Sequence, residues 1–397
     1  MRTFFNKLKI IVKETNKTLF LMCLALTAFG VLLIHSATLY QLNDGEIVSR
    51  SVLTTVIATT AGVIGCIIIS LFEHDFIVRF WPLVGLVCLL LMLSLFVFGC
   101  SPSGRDDAIS WLKFGFFYFQ PSELLKVGFT ITFSVHLDNV KDELDKFSNI
   151  IYLGLHAGLA IILVIATGDL GSALVFMVMT IGLLFLAGVQ LRYFAIGAGA
   201  VALLAPVIWM EFLSDFQKQR FLAVYAPSQL TESTYRTVIY QQQQGLSAIG
   251  AGRLTGQGLF NGTYTQAHLV PENQNDMIFS VVGEELGFIG CIALLLFILL
   301  IVLKIISIGK NAVNNVGRLM CYSVAIMIAA QTVINIGMCL KVLPVIGITL
   351  PFLSSGGSAN LCIYLSIGLV LSVYRTSVDR APTEIKRNAM STPFEEV

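Results

Sequence analysis

Glu123 and Lys126 are oppositely charged residues in a stretch that is otherwise mostly apolar. Their spacing of three residues puts both on one face of a helix, and Pro121 suits the first turn of that helix. In apolar surroundings an ionisable group is costly unless it is paired. The two residues therefore either neutralise each other and hold helices together, or Lys126 turns toward a phosphate.

A second group of residues could do acid–base chemistry. Asp276 stands just before the apolar residues 278–282, where a low dielectric makes a carboxylate more basic. Glu272 is the nearest competitor, but it follows Pro271 and its position favours a helix start, as a cap or a metal contact. A glycine-rich stretch around Arg253 precedes both acids. Its glycines either let the backbone approach a ligand closely or form a flexible surface loop.

A third group lies in and before the last apolar run. Two prolines and a Gly-Gly pair surround Ser354 and Ser358, which predicts a broken helix that lines a cavity. Glu284 enters another apolar run and needs a partner there. Asp169 opens a further run, where a carboxylate suits a helix N-terminus as a cap or as a functional group.

The composition identifies the surroundings of these residues. Of 397 residues, 56% are hydrophobic and only 12% are charged, and the mean hydropathy is +0.83. These values are typical of a membrane protein with several spans. A formal net charge of +1 provides no basic field for nucleic acid phosphates, which argues against a nucleic-acid-binding protein.

Nine apolar stretches are long enough to cross a bilayer, and a tenth, 121–137, is interrupted by Glu123 and Lys126. Ten spans with a cytoplasmic N-terminus place 16 of the 25 basic residues inside and eight outside, in keeping with the positive-inside rule. We therefore predict an all-α polytopic membrane protein with both termini cytoplasmic. The predicted spans are 18–40, 52–72, 80–100, 121–137, 150–167, 170–189, 193–213, 286–304, 319–340 and 349–374.

This topology leaves one long connection, residues 214–278, outside the membrane between spans seven and eight. Within it, 231–247 suggests a helix that lies against the membrane face. We predict one transmembrane domain over 1–375 and a solvated cytoplasmic tail over 376–397.

The polar segments together resemble the SEDS family (shape, elongation, division and sporulation proteins), which includes RodA and FtsW. The similarity rests on residues 120–126, 248–279 with the Glu-Glu-x-Gly that follows, and 335–358, in order over nearly the whole chain. The pair Gly262 and Thr263 favours the RodA branch. Six positions depart from the family pattern, and two of them, Ser110 and Gln257, replace basic residues. The six are Ser110, Gln257, Tyr264, Asn275, Lys341 (usually Gly) and Ser355.

The resemblance implies a glycosyltransferase that polymerises peptidoglycan from lipid II outside the bacterial cytoplasmic membrane. It also implies work with a class B penicillin-binding protein and other membrane proteins of the elongation or division machinery. Asp276 would be the general base, and Arg220, Arg253, Lys126 or a divalent cation such as Mg²⁺ or Mn²⁺ would offset the charge of the leaving pyrophosphate. The residues expected to bind substrate are Glu123, Lys126, Asp169, Arg220, Gln244, Arg253, Glu272, Glu284, Ser354 and Ser358.

Two other functions fit a chain of this kind. A transporter that flips lipid II would also have several spans and paired charges within them. Its polar groups would be expected near the midplane of two repeated halves, whereas no repeat is visible in this sequence. A non-catalytic scaffold would leave the acidic residues unexplained.

Overall fold

A computed structural model describes residues 15–42, 47–101, 108–115 and 117–380 of the chain. These residues form fourteen α-helices and three short strands. The helices are α1 (Lys17–Ala37), α2 (Arg50–Ser70), α3 (His74–Arg79), α4 (Trp81–Phe98), α5 (Pro121–Asn139), α6 (Phe147–Ala166), α7 (Leu170–Leu186), α8 (Leu191–Val207), α9 (Asp215–Tyr225), α10 (Glu232–Ala251), α11 (Thr263–Gln266), α12 (Ile278–Lys310), α13 (Asn315–Cys339) and α14 (Gly357–Arg380). The strands β1 (Gly99–Cys100), β2 (Trp111–Phe114) and β3 (Phe117–Phe119) form one antiparallel sheet in that order.

Ten of these helices match the ten predicted spans. Eight are long and apolar enough to cross a membrane: α1, α2, α4, α6, α8, α12, α13 and α14. The ninth, α7, is apolar but has only 17 residues. The tenth, α5, has 19 residues that include the charged pair. The chain is an all-α polytopic membrane protein, as the sequence predicts.

The crossing helices run alternately between two ends of the bundle, which we name the Asp276 end and the His74 end. Helix α14 extends from the Asp276 end to the His74 end. Ser358, near its start, accepts a hydrogen bond from the backbone N–H of Gln120 at 3.0 Å. Thr376, near its end, accepts one from the backbone N–H of His74 at 3.4 Å. A helix of 24 residues rises about 36 Å, which is long enough to cross a bilayer.

Helices α5 and α8 are opposite extremes of burial. Fourteen of the 19 residues of α5 are buried, and it packs against α4, α13 and α14. No residue of α8 is buried, although α8 is one of the apolar candidate spans. The span that the sequence supports least is therefore among the most enclosed.

Helix α12 is broken at Gly287, whose φ of 68° and ψ of −167° are not helical. The turn that follows α10 pairs with the backbone exposed by this break. The N–H groups of Gln257 and Gly258 donate to the carbonyls of Glu284 and Glu285, at 3.0 and 2.9 Å, and Phe288 N–H donates to the carbonyl of Arg253 at 2.9 Å. The glycine-rich stretch is thus a packed turn that satisfies broken helix backbone, and not a loose surface loop.

The predicted break in the last apolar run is present, but the helix boundaries differ from the expected ones. The chain between α13 and α14 is non-helical, and α14 begins at Gly357 instead of near 349. It also continues beyond residue 375 to Arg380, and Thr376 is fully buried. Residues 376–380 therefore extend the last helix, and the rest of the predicted tail, 381–397, lies outside the described residues.

The long connection between the seventh and eighth crossing helices is mostly helical. Helix α9 begins with a capping box formed by Ser214 and Gln217. Helix α10 confirms the helix predicted over 231–247, and it packs against α12 and α13. The connection is therefore part of the packed structure at the Asp276 end, where it can position side chains.

Candidate active site at the Asp276 end

Asp276 lies in the turn that leads into α12, and backbone hydrogen bonds fix that turn. Asn335 of α13 donates its Nδ2 to the carbonyl of Asp276 at 2.7 Å and to the carbonyl of Ile348 at 2.7 Å. The N–H of Ser355 donates to the carbonyl of Gln274 at 2.8 Å. One fully buried amide therefore ties the Asp276 turn to the segment between α13 and α14.

The Asp276 carboxylate is half-buried and accepts a long hydrogen bond of 3.4 Å from Gln241 Nε2 of α10. Burial and then the neighbouring Glu272 carboxylate raise the pKa of Asp276, the Arg220 guanidinium lowers it, and the resulting pKa is about 7. A carboxylate with this pKa can take up a proton near neutral pH, which is the property of a general base.

Arg220 of α9 connects Asp276 to a cleft. Its Nη1 donates to the carbonyl of Val345 at 2.8 Å, and its guanidinium lies over the ring of Phe216, 4.4 Å from the centroid. The cleft beside it has a volume of about 60 Å³. Its walls are Gly168, Leu170, Gln217, Arg220, Phe221, Val345, Ile346 and Gly347.

Glu123 and Lys126 form a buried ion pair with an Nζ–Oε1 distance of 2.8 Å. Lys126 is only 1% exposed and Glu123 only 7%. Glu123 also borders a narrow internal cavity beneath the chain that precedes α14, together with Gln331 and Asn360. The two charges neutralise each other as the first sequence interpretation predicts, and Lys126 does not face the cleft beside Arg220.

Asp169 caps α7 and joins it to α5. Its Oδ1 accepts from the N–H of Ser172 at 2.9 Å, and its Oδ2 accepts from Gln120 Nε2 at 2.8 Å and Ser122 Oγ at 2.9 Å. The cap that the sequence predicts is confirmed, and the same carboxylate also fixes the start of α5. Its neighbour Gly168 borders the Arg220 cleft, so this network supports one wall of that cleft.

Glu284 is fully buried and holds the segment that forms α11. Its carboxylate accepts from the N–H groups of Tyr264 and Thr265, at 2.6 and 2.9 Å, and from the hydroxyls of Thr263 and Thr265, at 3.2 and 2.6 Å. These four bonds provide the partners that the sequence required. They also show that Glu284 anchors backbone and presents no surface to a ligand.

Ser354 and Ser358 stabilise the broken segment before α14. Ser354 Oγ accepts from the N–H of Leu350 at 2.8 Å, and its carbonyl accepts from Asn360 Nδ2 at 2.9 Å. Ser358 Oγ donates to the carbonyl of Tyr118 at 3.3 Å. Both serines are buried, at 2% and 1% exposure, and connect backbone segments, and Ser354 also borders the narrow cavity beside Glu123.

The sequence profile of the FtsW, RodA and SpoVE family, described as cell cycle proteins, matches residues 16–378. The chain belongs to this family.

Two named members of this FtsW/RodA/SpoVE family are similar to the chain along nearly its full length. The peptidoglycan glycosyltransferase MrdB of Escherichia coli is 28% identical over 381 residues, 94% of this chain and 95% of MrdB. A probable peptidoglycan glycosyltransferase FtsW of Geobacter metallireducens is 32% identical over 376 residues, 92% and 96% of the two chains. The chain is therefore about equally similar in sequence to a member named MrdB and to a member named FtsW.

Solved structures support the fold of the FtsW/RodA/SpoVE chain. A chain of a peptidoglycan synthase complex superposes with a TM-score of 0.75 at 24% identity, over 91% of this chain and 98% of that one. RodA of Thermus thermophilus superposes with a TM-score of 0.63 at 22% identity, over 91% and 97%.

Three of the predicted site residues of this family member lie differently from expectation. Glu272 is exposed, has a φ of 56° and precedes α12 by a non-helical turn, so it neither starts nor caps a helix. Arg253 is exposed in the turn against the Gly287 break, and no described contact joins its side chain to Asp276. Gln244 is half-buried, and among the described contacts it is Gln241 that reaches Asp276.

Two glutamines of α10 make contacts at or near the candidate site that the sequence did not predict. Gln241 Nε2 contacts both Asp276 Oδ1 and the carbonyl of Pro271, at 3.4 and 3.3 Å. Gln242 Nε2 donates to the carbonyls of Met338 and Leu343 at 2.9 and 2.7 Å. The run of four glutamines, 241–244, gives no signal that separates these two from their neighbours, because helical phase against α12 and α13 decides the contacts.

Few acidic side chains near Asp276 could act as ligands of a bound metal ion. Within the described ranges, no three His, Cys, Asp or Glu side chains come together as a metal-binding group. Asp276 and Glu272 are the two neighbouring carboxylates. A divalent cation here would take its remaining ligands from water and from substrate phosphates, which is the usual situation of Mg²⁺.

Proposed function

We propose that this chain is a peptidoglycan glycosyltransferase that polymerises lipid II at the outer face of the bacterial cytoplasmic membrane. The observation that carries the proposal is a half-buried carboxylate, Asp276, with a pKa near 7 at the mouth of a membrane-embedded helix bundle. Its support is the similarity over 94% of the chain to an enzyme named a peptidoglycan glycosyltransferase.

The orientation follows from charge. The ten-span topology predicted from the sequence assigns 16 of the 25 basic residues to the cytoplasmic side, which is the side of His74. The Asp276 end, with α9, α10, α11 and the small sheet, is then extracytoplasmic. A substrate with a polyprenyl tail in the bilayer would present its pyrophosphate and sugars at that end.

The chemistry needs one base and one positive neighbour. Asp276 removes the proton from the 4-hydroxyl of the acceptor sugar as that oxygen attacks the anomeric carbon of the donor. The new carbon–oxygen bond forms while the bond to the phosphate oxygen breaks, and the leaving polyprenyl diphosphate takes the electron pair. Attack from the face opposite the leaving group inverts the anomeric centre. The proton stays on Asp276 until solvent removes it.

Arg220 is the cation best placed to stabilise the departing diphosphate. It lies near enough to Asp276 to lower that residue's pKa, and it borders the cleft. Lys126, by contrast, is buried against Glu123 and would have to break that ion pair to reach a phosphate. A divalent cation, when bound, would supply further positive charge to the diphosphate oxygens.

We also propose a partner. A chain with the same fold occurs in a solved peptidoglycan synthase complex that coordinates polymerization and crosslinking. A class B penicillin-binding protein would supply the crosslinking step, and other membrane proteins of the elongation or division machinery would bring the pair to its place in the cell.

The test is polymerisation of labelled lipid II by the purified protein in detergent micelles, with and without a class B penicillin-binding protein, scored by glycan length. Micelles have no two leaflets, so a protein that only flips lipid II makes no product there. Glycan strands in the micelles would support the enzyme. Translocation of lipid II in vesicles without glycan formation in either system would replace the proposal with the transporter.

A further inference from the structure

Lys341 occupies a backbone conformation that a lysine rarely adopts. It follows the C-terminal end of α13 with a φ of 59°, in the left-handed region. A residue with a Cβ is disfavoured there, whereas glycine adopts this φ without steric cost. A strained non-glycine residue next to a candidate site is a reason to ask what its side chain does.

The Lys341 side chain has an unusual partner. Its Nζ donates to the hydroxyl of Tyr235 at 3.2 Å and lies 5.7 Å from the centroid of that ring. Among the described residues, no carboxylate lies within ion-pair distance of this ammonium. Lys218 and Arg236, also in the helical connection, pair with Asp215 and Glu232 respectively. Among the described residues, Lys341 therefore has no acidic partner.

The turn that carries Lys341 is held against the candidate site. Tyr225 Oη donates to the carbonyl of Val342 at 2.9 Å, and Arg220 donates to the carbonyl of Val345 at 2.8 Å. The same turn then forms one wall of the Arg220 cleft. Tyr235 precedes Gln241 by six residues on α10, which is about 9 Å along a helix. Lys341 therefore contacts the same helix, α10, that carries the residue in contact with Asp276.

We propose that Lys341 binds the diphosphate of the polyprenyl-linked substrate at the mouth of the site. The inference rests on the proposed function and adds a specificity-determining residue to it. A diphosphate oxygen is a charged acceptor and binds an ammonium more strongly than a phenol hydroxyl does. The Tyr235 hydroxyl holds the ammonium in place until the diphosphate replaces it.

The test is binding of a polyprenyl diphosphate to the full-length protein in nanodiscs of neutral lipid. Lys341→Gly removes the charge and relieves the backbone, and Lys341→Gln removes the charge and keeps the length. We expect each to weaken binding about tenfold, the value of one charge-assisted contact. Binding of the uncharged polyprenol should not change. Thermal stability should be unchanged in Lys341→Gln and unchanged or higher in Lys341→Gly.

Arg236→Ala is the matched control, because it removes the same charge from the exposed residue beside Tyr235. It should leave diphosphate binding unchanged. Tyr235→Phe removes the hydroxyl but keeps the ring, and it should bind the diphosphate at least as tightly as the unaltered protein. A second series in nanodiscs with an anionic phospholipid distinguishes the sources of phosphate: a Lys341 that binds bulk headgroups would be competed by that lipid.

Equal diphosphate binding by the unaltered protein and both Lys341 variants would overturn the inference, as would an equal loss in Arg236→Ala or full competition by the anionic phospholipid. The outcome is separable from that of the proposed function. If the unaltered protein polymerises lipid II while the Lys341 variants bind the diphosphate normally, the enzyme stands and only the role of Lys341 fails. If it binds diphosphate through Lys341 but makes no glycan, the enzyme fails and the binding residue stands.

Discussion

Two groups of charged side chains near the Asp276 end differ in how completely they are enclosed. The Glu123–Lys126 pair is almost wholly buried, and its Nζ–Oε1 distance is 2.8 Å. The Asp276 carboxylate is half-buried, its hydrogen bond with Gln241 is long, and its pKa is about 7. Both groups are ionisable, yet only Asp276 is partly exposed and therefore able to contact another molecule.

The difference distinguishes charged residues that only stabilise this fold from charged residues that can take part in a reaction. In the buried pair, opposite charges satisfy each other, and the loss of either strands its partner. At Asp276 a like charge, Glu272, and an opposite charge, Arg220, act on one carboxylate with opposing effects. An acid held between its ionised and protonated forms near pH 7 can accept a proton from a substrate hydroxyl.

The largest expected effect belongs to the buried pair. Glu123→Ala or Lys126→Ala alone should lower the free energy of unfolding by about 3–5 kcal/mol, because each leaves one uncompensated buried charge. Thermal unfolding in detergent measures this loss. The exposed pair Glu143–Lys146 has the same spacing and an Nζ–Oε1 distance of 2.6 Å, and Lys146→Ala should change the stability little because solvent screens that pair.

A double variant tests whether the buried Glu123–Lys126 pair has a role beyond stabilising the fold. Replacing Glu123 and Lys126 together by Leu and Met should recover most of the lost stability, because no charge is stranded. If such a protein folds but makes no glycan, the pair has a catalytic or binding role in addition to its structural one. Full activity of the double variant would make it a helix contact alone.

Asp276→Asn should have the next largest effect. The amide keeps the size of the side chain and its hydrogen bonding but has no basic oxygen, so polymerisation of lipid II should fall by about 10² or more. Thermal stability and lipid II binding should change little. The control is Asp215→Asn at an exposed carboxylate of the same end. Near-normal polymerisation by Asp276→Asn would exclude it as the base and move the assignment to Glu272, since Glu284 is committed to backbone.

Gln241→Met should have a smaller effect on the same step. The thioether has nearly the length of the amide but no donor for Asp276, so the carboxylate loses orientation and polymerisation should fall about tenfold or less. The effect should appear in kcat more than in KM. Gln243→Met and Gln244→Met are matched controls on the same helix. A larger loss from Gln244 than from Gln241 would contradict the geometry and restore the position that the sequence favoured.

The pH dependence should show the smallest changes. Polymerisation should rise as Asp276 ionises and reach half its maximum near pH 7. Glu272→Gln removes a like charge and should shift this midpoint to lower pH, whereas Arg220→Gln should shift it to higher pH.

Stability should also depend on pH, because the pKa of Asp276 is higher in the folded protein than in the unfolded chain. Protonated Asp276 stabilises the fold fully below the pKa of the unfolded chain, and this stabilisation is lost as pH rises through about 7. The thermal midpoint should therefore fall between pH 5 and 8 more in the unaltered protein than in Asp276→Asn.

The sequence predicted the crossing helices well, and its weakest prediction shows the limit of hydropathy. Helix α8 is apolar and has no buried residue. Helix α5 was accepted only on charge grounds, yet most of its residues are buried. Hydropathy measures what lipid tolerates, and a helix enclosed by other helices can carry serines, threonines and an ion pair.

By itself, the sequence determined the ten apolar helices and the break before the last helix, because hydropathy and proline–glycine placement act locally along the chain, and its motifs carried the resemblance to the family. Only the tertiary structure decided which polar residues meet. Glu284 anchors backbone, Gln241 rather than Gln244 reaches Asp276, and Arg220 joins a carbonyl 125 residues away. The physical reason is that hydrogen bonds and burial depend on the packing of helices distant in sequence, and one helical turn changes which side chain a neighbouring segment meets.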